Sequence, residues 1–399
     1  MNLEEAVVGV FNPLRRDDPY PSYAALRAAG PFVPGPMGIT LVPGYAECDA
    51  ILQNPQWSHA EESELLHPDS DVELPGSFLW MEPPDHTRLR GLVSKAFTAR
   101  TIEGTRSRAV ELVDSLVDKA LAAGEVNLVD ALAYPVPLTL VCELLGVPAA
   151  DHELIREISG AIARGLDPDA LLSQEEKDAR TEAVHRFTEY FGALTARRRT
   201  EPRDDLVSAL AQVHASGDRL TDTELIGTLL ILVVAGHETT VNLIANGVLA
   251  LLRNPSVFAE LRANPELAAS AADEFLRYDA PVHLTTRTAR AEITVSGRTF
   301  QPGEAVLLLF GSANRDPRAF AHPDRLVLDR YGVGERVNRH LSFGLGLHYC
   351  LGAPLARLEM EVVLRALATR TTSVELLSEP PYLPNLVVRG MSELKVRLS

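Results

Sequence analysis

Residues 225–252 are apolar nearly all round, the pattern of a helix that has no solvent face. The run is entered at Thr221, with Glu224 three residues on in the form of a capping box. It is long enough to cross a bilayer, but His237, Glu238, Asn242 and Asn246 interrupt it, so it predicts a buried core helix. Residues 101–199 carry apolar stripes at helical spacing, broken near Gly124, Gly146-Val147-Pro148 and Asp167-Pro168, and predict successive amphipathic helices. Glu201-Pro202-Arg203-Asp204-Asp205 is punctuation and not a linker, because a helical pattern resumes at once. Further helical runs cover 268–278 and 353–369. Alternating positions at 282–288 and 291–309, with turns at Gly297 and Pro302-Gly303, predict strands, and 373–398 predicts a hairpin around Arg389-Gly390. Nearer the start, the pattern gives a short helix at 23–29, strands across 31–42, a helix ending near Gln53 and a long loop reaching Pro84. There is no internal repeat. The expected fold is mainly α-helical with a smaller β-rich part, as one domain over residues 1–399.

Composition narrows the function classes. Of 399 residues, 46% are hydrophobic and 23% charged, enough for a sizeable core, so disorder is excluded. The balance of 38 basic against 54 acidic side chains gives −16, which disfavours a general grip on nucleic-acid phosphates or an anionic membrane. Met1-Asn2-Leu3-Glu4-Glu5 has neither the basic start nor the apolar core of a signal peptide, and a cytoplasmic location is expected. The only cysteines, Cys48, Cys142 and Cys350, lie far apart, so no structural disulfide is expected. Cys142, inside the apolar run 138–145, reads as core.

Cys350 is different. It sits in the glycine-loosened stretch Ser342-Phe343-Gly344-Leu345-Gly346-Leu347-His348-Tyr349-Cys350-Leu351-Gly352, just ahead of a helix with Pro354 in its first turn. Amides at that helix start favour a thiolate, the form that ligates metal. No second cysteine is near, which argues against zinc and suits one axial thiolate on haem iron. A lone cysteine is more often core, but that reading leaves the glycines, Phe343 and His348 unexplained.

The stretch from Phe343 to Gly352 resembles the haem-ligand signature of the cytochrome P450 family. The resemblance implies haem b held non-covalently between the long central helix and the Cys350 loop, with Cys350 as proximal ligand, Phe343 and Gly344 beside the sulfur and His348 at a haem propionate. In Met81-Glu82-Pro83-Pro84-Asp85-His86-Thr87-Arg88-Leu89-Arg90 the positions four apart, His86 and Arg90, match two further propionate-binding cations, and Arg287 matches a third. Ala235-Gly236-His237-Glu238-Thr239-Thr240 looks like the family's oxygen-activating acid and alcohol, assigning Glu238 and Thr239 to proton delivery, with Ala235 on the haem-facing side. By the same resemblance Glu274 and Arg277 form a structural pair that an arginine of Pro323-Asp324-Arg325 joins. A generic helix would carry each of these as a solvated charge or a satisfied kink.

The implied reaction is insertion of one oxygen atom from O2 into a small molecule, by hydroxylation or epoxidation, since a thiolate ligand favours O–O cleavage. A peroxide-using haem-thiolate enzyme is one alternative, and a haem-binding recruitment protein without turnover is another; the retained Glu238 and Thr239 weigh against both. No flavin or ferredoxin segment is attached, so ferredoxin and ferredoxin reductase are the expected electron donors. Arg88, Lys95, Arg100, Arg339 and Arg357 are read either as their docking island or as scattered solvated cations. The helical face Thr228, Ile231, Leu232, Ala235 and Thr239, with Val282, His283 and Leu284, is expected to line the substrate pocket, which suits a bulky, mainly apolar natural product. Glu61, Glu62, Glu64, Asp69, Asp71 and Glu73 form either a solvated acidic loop or a seat for a substrate cation.

Overall fold

The computed structural model describes residues 1–60, 77–94, 97–212 and 220–399. The acidic stretch from Glu61 to Glu73 and Lys95 therefore lie outside the described residues. The strands are β1 (Val33–Pro34), β2 (Thr40–Val42), β3 (Trp57–Ser58), β4 (Glu125–Asn127), β5 (Leu284–Ala289), β6 (Ile293–Val295), β7 (Arg298–Phe300), β8 (Ala305–Leu309), β9 (Val374–Leu376) and β10 (Lys395–Leu398). Helices make up most of the remainder, as the pattern predicts.

Two compact units are distinguished, the first comprising Met1–Ser58, Arg108–Tyr134 and Thr239–Ser399. It holds all the described strands. Its five-stranded sheet runs β1-β2-β8-β5-β3, with β2 and β8 parallel and the other pairs antiparallel. β6 and β7 form the predicted tight hairpin, with Ser296 and Gly297 both at positive φ in the turn. Val42, Ile51, Trp57, Phe300, Phe310 and Phe320 pack into one core beside this sheet. The strands expected across 31–42 shrink to two short pieces around Pro36–Gly38, because Pro34 and Pro36 supply no N–H to a ladder.

The C-terminal expectation is corrected in one respect. β9 and β10 do pair antiparallel, but β10 also pairs with β4, and Arg389-Gly390 is not the hairpin turn. Gly390 is required for another reason: a Cβ there would lie 1.5 Å from Asn242 Oδ1 on the central helix. Asn246 Nδ2 donates to the Arg389 carbonyl at 3.1 Å, so the polar residues that interrupt the apolar run lash this turn to the helix.

The second unit, His59–Ser107 and Pro135–Glu238, is helical. Among its described helices are Asp85–Ser94, Pro135–Leu145, His152–Arg164 and Gln174–Thr200, and Gly146 at φ 78 ends the second of these where the sequence places a break. The central helix runs from Asp222 to Arg253. Its capping box forms as predicted: Glu224 N–H donates to Thr221 Oγ1 at 3.1 Å and Thr221 N–H to Glu224 Oε2 at 2.7 Å. By length and composition it would pass for a membrane span, but 78% of its most apolar window is buried, as a core helix requires.

Candidate functional site

The cysteine loop is fixed by its backbone and by two apolar anchors. Leu341 and Leu345 are buried in the sheet core of the first unit. Cys350 N–H donates to the Phe343 carbonyl at 2.9 Å and Gly344 N–H to the Leu341 carbonyl at 2.8 Å. Gly346, at φ 68, presses so closely on the end of helix Tyr45–Gln53 that a Cβ would stand 2.5 Å from the Leu52 carbonyl oxygen; a side chain there would push the loop out. The helix Ala353–Arg370 follows, with Pro354 in its first turn.

None of the three cysteines is in a disulfide, and their environments separate them. Cys48 and Cys142 are fully buried, and burial first, then a neighbouring glutamate, pushes the Cys142 thiol up to about 12 and the Cys48 thiol higher. Both are neutral thiols in a core. Cys350 alone of the three is only half-buried.

Phe343 is packed edge-on to Tyr349, with ring centroids 6.3 Å apart, and the Arg357 guanidinium lies 4.7 Å from its ring centre. Arg357 donates to Asp273 at 2.7 Å and to the Tyr349 hydroxyl at 3.2 Å. His340 completes this set. Its Nε2 lies 2.9 Å from Asp273 and its Nδ1 accepts from Ser342 N–H at 3.3 Å, which fixes a neutral ring with the proton on Nε2. Burial lowers the His340 pKa against the pull of Asp273; burial likewise opposes the Asp273 carboxylate, yet bonds from His340 and Arg357 hold its pKa below the ordinary value.

Behind the loop lies a buried ionic knot. Glu274 and Arg277 are both fully buried and bonded twice, Nε to Oε2 and Nη2 to Oε1, each at 2.8 Å. The arginine that joins them is Arg330, whose Nε donates to Glu274 Oε2 at 2.9 Å, and not Arg325; Arg325 offers its carbonyl, which accepts from Arg277. The chain turns between the two, so the main-chain carbonyl of 325 arrives at the Arg277 guanidinium and the side chain of 330 at the Glu274 carboxylate. Arg277 also donates to the Asn314 carbonyl, and the Asn314 side chain bonds Leu341 N–H and the Ser342 hydroxyl, each at 2.8 Å. Asn314 thus ties the ion pair to the cysteine loop. Nothing in the sequence marks it, since it acts through contacts 27 and 28 residues away.

The remaining expected residues fall as follows. In the first unit Arg287 is buried on β5 with Nη1 on the Thr286 carbonyl, and His348 is half-buried in the loop beside Cys350. In the second unit His86 is buried and Arg90 half-buried, one turn apart on helix Asp85–Ser94. On the central helix Ala235 is the one exposed residue between 225 and 252, flanked by half-buried Gly236, Glu238 and Thr239. The burial of this helix is thus interrupted at the acid-alcohol sequence. Thr228, Ile231, Leu232 and Leu284 are buried, Thr239 and Val282 are half-buried, and Ala235 is exposed among the residues expected to line the pocket. Of the expected docking cations, Arg88 is paired with Glu224 and Arg357 with Asp273, which cancels most of their field at a distance. That leaves exposed Arg100 and Arg339 as described contributors.

His283, expected at the pocket edge, is instead buried, with Tyr23 Oη 2.9 Å from its Nδ1. Burial lowers its pKa from 6.5 to about 4, despite Asp279 nearby. The unfolded ring takes up a proton near 6.5 and the folded one does not, so stability is full above that pH and is expected to fall as pH drops towards 4. Urea midpoints at about pH 7.5 and about pH 5 check this, and His283→Phe should flatten the difference.

The chemistry fits haem. The donor set is one half-buried cysteine in a loop where a Cβ on Gly344 would meet nothing nearer than the His348 carbonyl oxygen at 3.7 Å, which leaves room for a flat group. Residues 170–371 match the family model described as Cytochrome P450. The chain is 41% identical over 392 residues to cytochrome P450 monooxygenase PikC of Streptomyces venezuelae, spanning 95% of this chain and 91% of that protein. It is 36% identical over 402 residues to 6-deoxyerythronolide B hydroxylase of Saccharopolyspora erythraea, spanning 96% of each. Among solved structures, ligand-free CYP164A2 of Mycobacterium smegmatis superposes with a TM-score of 0.90 at 41% identity, over 99% of this chain and 100% of that one.

Proposed function

Because this chain belongs to the cytochrome P450 family, whose members are haem b monooxygenases, we propose that it inserts one oxygen atom from O2 into a bulky, mainly apolar natural product by hydroxylation or epoxidation. Bacterial relatives include, by name, 6-deoxyerythronolide B hydroxylase and a polyketide biosynthesis cytochrome P450, and enzymes of this family work with redox partners on small molecules. A ferredoxin with its reductase is the proposed electron source, in the cytoplasm. When bound, haem b supplies the activation of dioxygen. Cys350 would hold the iron, with Phe343 and Gly344 beside the sulfur, and His86, Arg90, Arg287 and His348 would hold the propionates.

The observation that carries the reading is the interruption of burial at Ala235, Gly236, Glu238 and Thr239 in a helix otherwise buried from Leu225 to Leu251. A glycine, an acid and a hydroxyl cost an apolar helix stability, and the cost is understandable where protons must be delivered. Gly236 lets the helix approach Val141, whose Cγ2 would stand 3.2 Å from a Cβ there. Thr239 presents a hydroxyl that passes a proton on, and Glu238 supplies it. Thr239→Ala is expected to take up haem and substrate normally while reductant is diverted into peroxide. Product and peroxide per reductant consumed measure this, and an unchanged product yield would remove Thr239 from proton delivery.

A further inference from the structure

His237 has no part in the reading above, yet it is fully buried beside the acid that does. Its Nδ1 lies 2.7 Å from the Val233 carbonyl oxygen, which only accepts, so Nδ1 carries a proton. Its Nε2 faces two oxygens: Ser159 Oγ at 3.0 Å and Glu238 Oε1 at 3.2 Å. Ser159, itself fully buried on helix His152–Arg164, has one hydroxyl hydrogen, and the Ile155 carbonyl at 2.7 Å is its shortest acceptor. Gly160, next to Ser159, brings the same helix within 3.9 Å of Glu238 Oε1, measured from where a Cβ would stand.

The proton count follows. With the Ser159 hydrogen on Ile155, Nε2 is surrounded by oxygen lone pairs, and two facing lone pairs at 3.2 Å repel unless a proton lies between them. That proton is either on Nε2, giving imidazolium and carboxylate, or on Oε1, giving imidazole and carboxylic acid. The two forms interconvert by one transfer along an existing contact, and the total charge of the pair is the same in both.

We propose that His237 is a positioning residue that stores a proton for Glu238, holding the carboxyl through Nε2 and supplying the proton that Glu238 gives up. This rests on the assignment of Glu238 as the acid. Nε2–H passes across to Oε1, so the imidazolium becomes neutral and the carboxylate becomes the acid; once that acid gives up the proton, imidazole and carboxylate remain. The partly exposed Glu238 carboxylate then takes one proton from water and hands it to Nε2, which restores imidazolium and carboxylate. Val233 fixes the ring so that Nε2 stays aimed at the carboxyl throughout.

The test uses the holoenzyme in its diamagnetic ferrous carbon monoxide form, with histidine labelled in nitrogen-15 and the His237 signals assigned by their loss in His237→Phe. The proposal expects Nδ1 protonated, and Nε2 at a shift between the bare and protonated limits that moves in Glu238→Gln. Coupling is measured in parallel, as product per reductant. His237→Phe fills the buried site, and Ser159 keeps its bond to Ile155; its coupling is expected to drop several-fold with haem content and substrate affinity unchanged. An Nε2 shift at the bare limit and indifferent to Glu238→Gln overturns the proposal whether or not His237→Phe accumulates. If Glu238→Gln uncouples while His237→Phe couples like the wild type, the inference alone falls. If Glu238→Gln itself couples fully, the assignment of Glu238 as the acid falls.

Discussion

Cys350→Ser is expected to fold and to lose the thiolate-type Soret band of the ferrous carbon monoxide form, with product formation falling below detection. The loop's conformation does not depend on sulfur: it is set by the Cys350 N–H to Phe343 bond, the Gly344 N–H to Leu341 bond and the burial of Leu341 and Leu345. Serine offers a neutral hydroxyl in place of a thiolate, and the electron push that favours O–O cleavage goes with it. Cys48→Ser and Cys142→Ser are the controls. Both thiols are held neutral by burial, and Cys48 Sγ donates to the Val42 carbonyl at 3.3 Å, a bond a serine can repeat. The band should persist in both. A thiolate band retained in Cys350→Ser, or lost in a folded Cys48→Ser, would refute the assignment.

The parts of this molecule that were legible in the sequence are those written locally. The central helix begins where Thr221 and Glu224 cap it, helix Ala268–Tyr278 matches its pattern at both ends, and the β6–β7 hairpin turns where Ser296-Gly297 permits positive φ. One local signal lay unused: Asn2 and Glu5 form a capping box on helix Leu3–Phe11, in a segment read only for targeting. What stayed hidden depends on long-range partners. β4 has three residues and gains its strand state from β10, some 270 positions on. Ser159 and His237 are 78 residues apart, and no spacing rule links them. The cysteine loop was legible for another reason, since its glycines, phenylalanine and histidine recur as one contiguous unit that a family signature captures whole.

The choice between Arg325 and Arg330 shows the same limit and gives the second large effect. Two arginines five apart in an irregular segment carry no periodicity to say which turns inward, and only the folded path assigns Arg330 to Glu274. Glu274 is fully buried and accepts from Arg277, from Arg330 and from Val327 N–H at 2.9 Å. Removing one member of a buried ion pair leaves the other charge uncompensated and costs about 3–5 kcal/mol. Folded domains hold only about 5–15 kcal/mol in total, so Glu274→Ala and Arg277→Ala are expected to yield chains that fail to fold and retain no haem. Arg330→Ala should be milder, losing a charged hydrogen bond worth about 1.5–3 kcal/mol while the Glu274–Arg277 pair survives. Arg325→Ala should cost less again, because that residue contributes through its main-chain carbonyl, which alanine keeps. Urea midpoints and haem content across the four variants order them. Should Arg325→Ala prove as damaging as Arg330→Ala, the arginine at Glu274 would have to be reassigned.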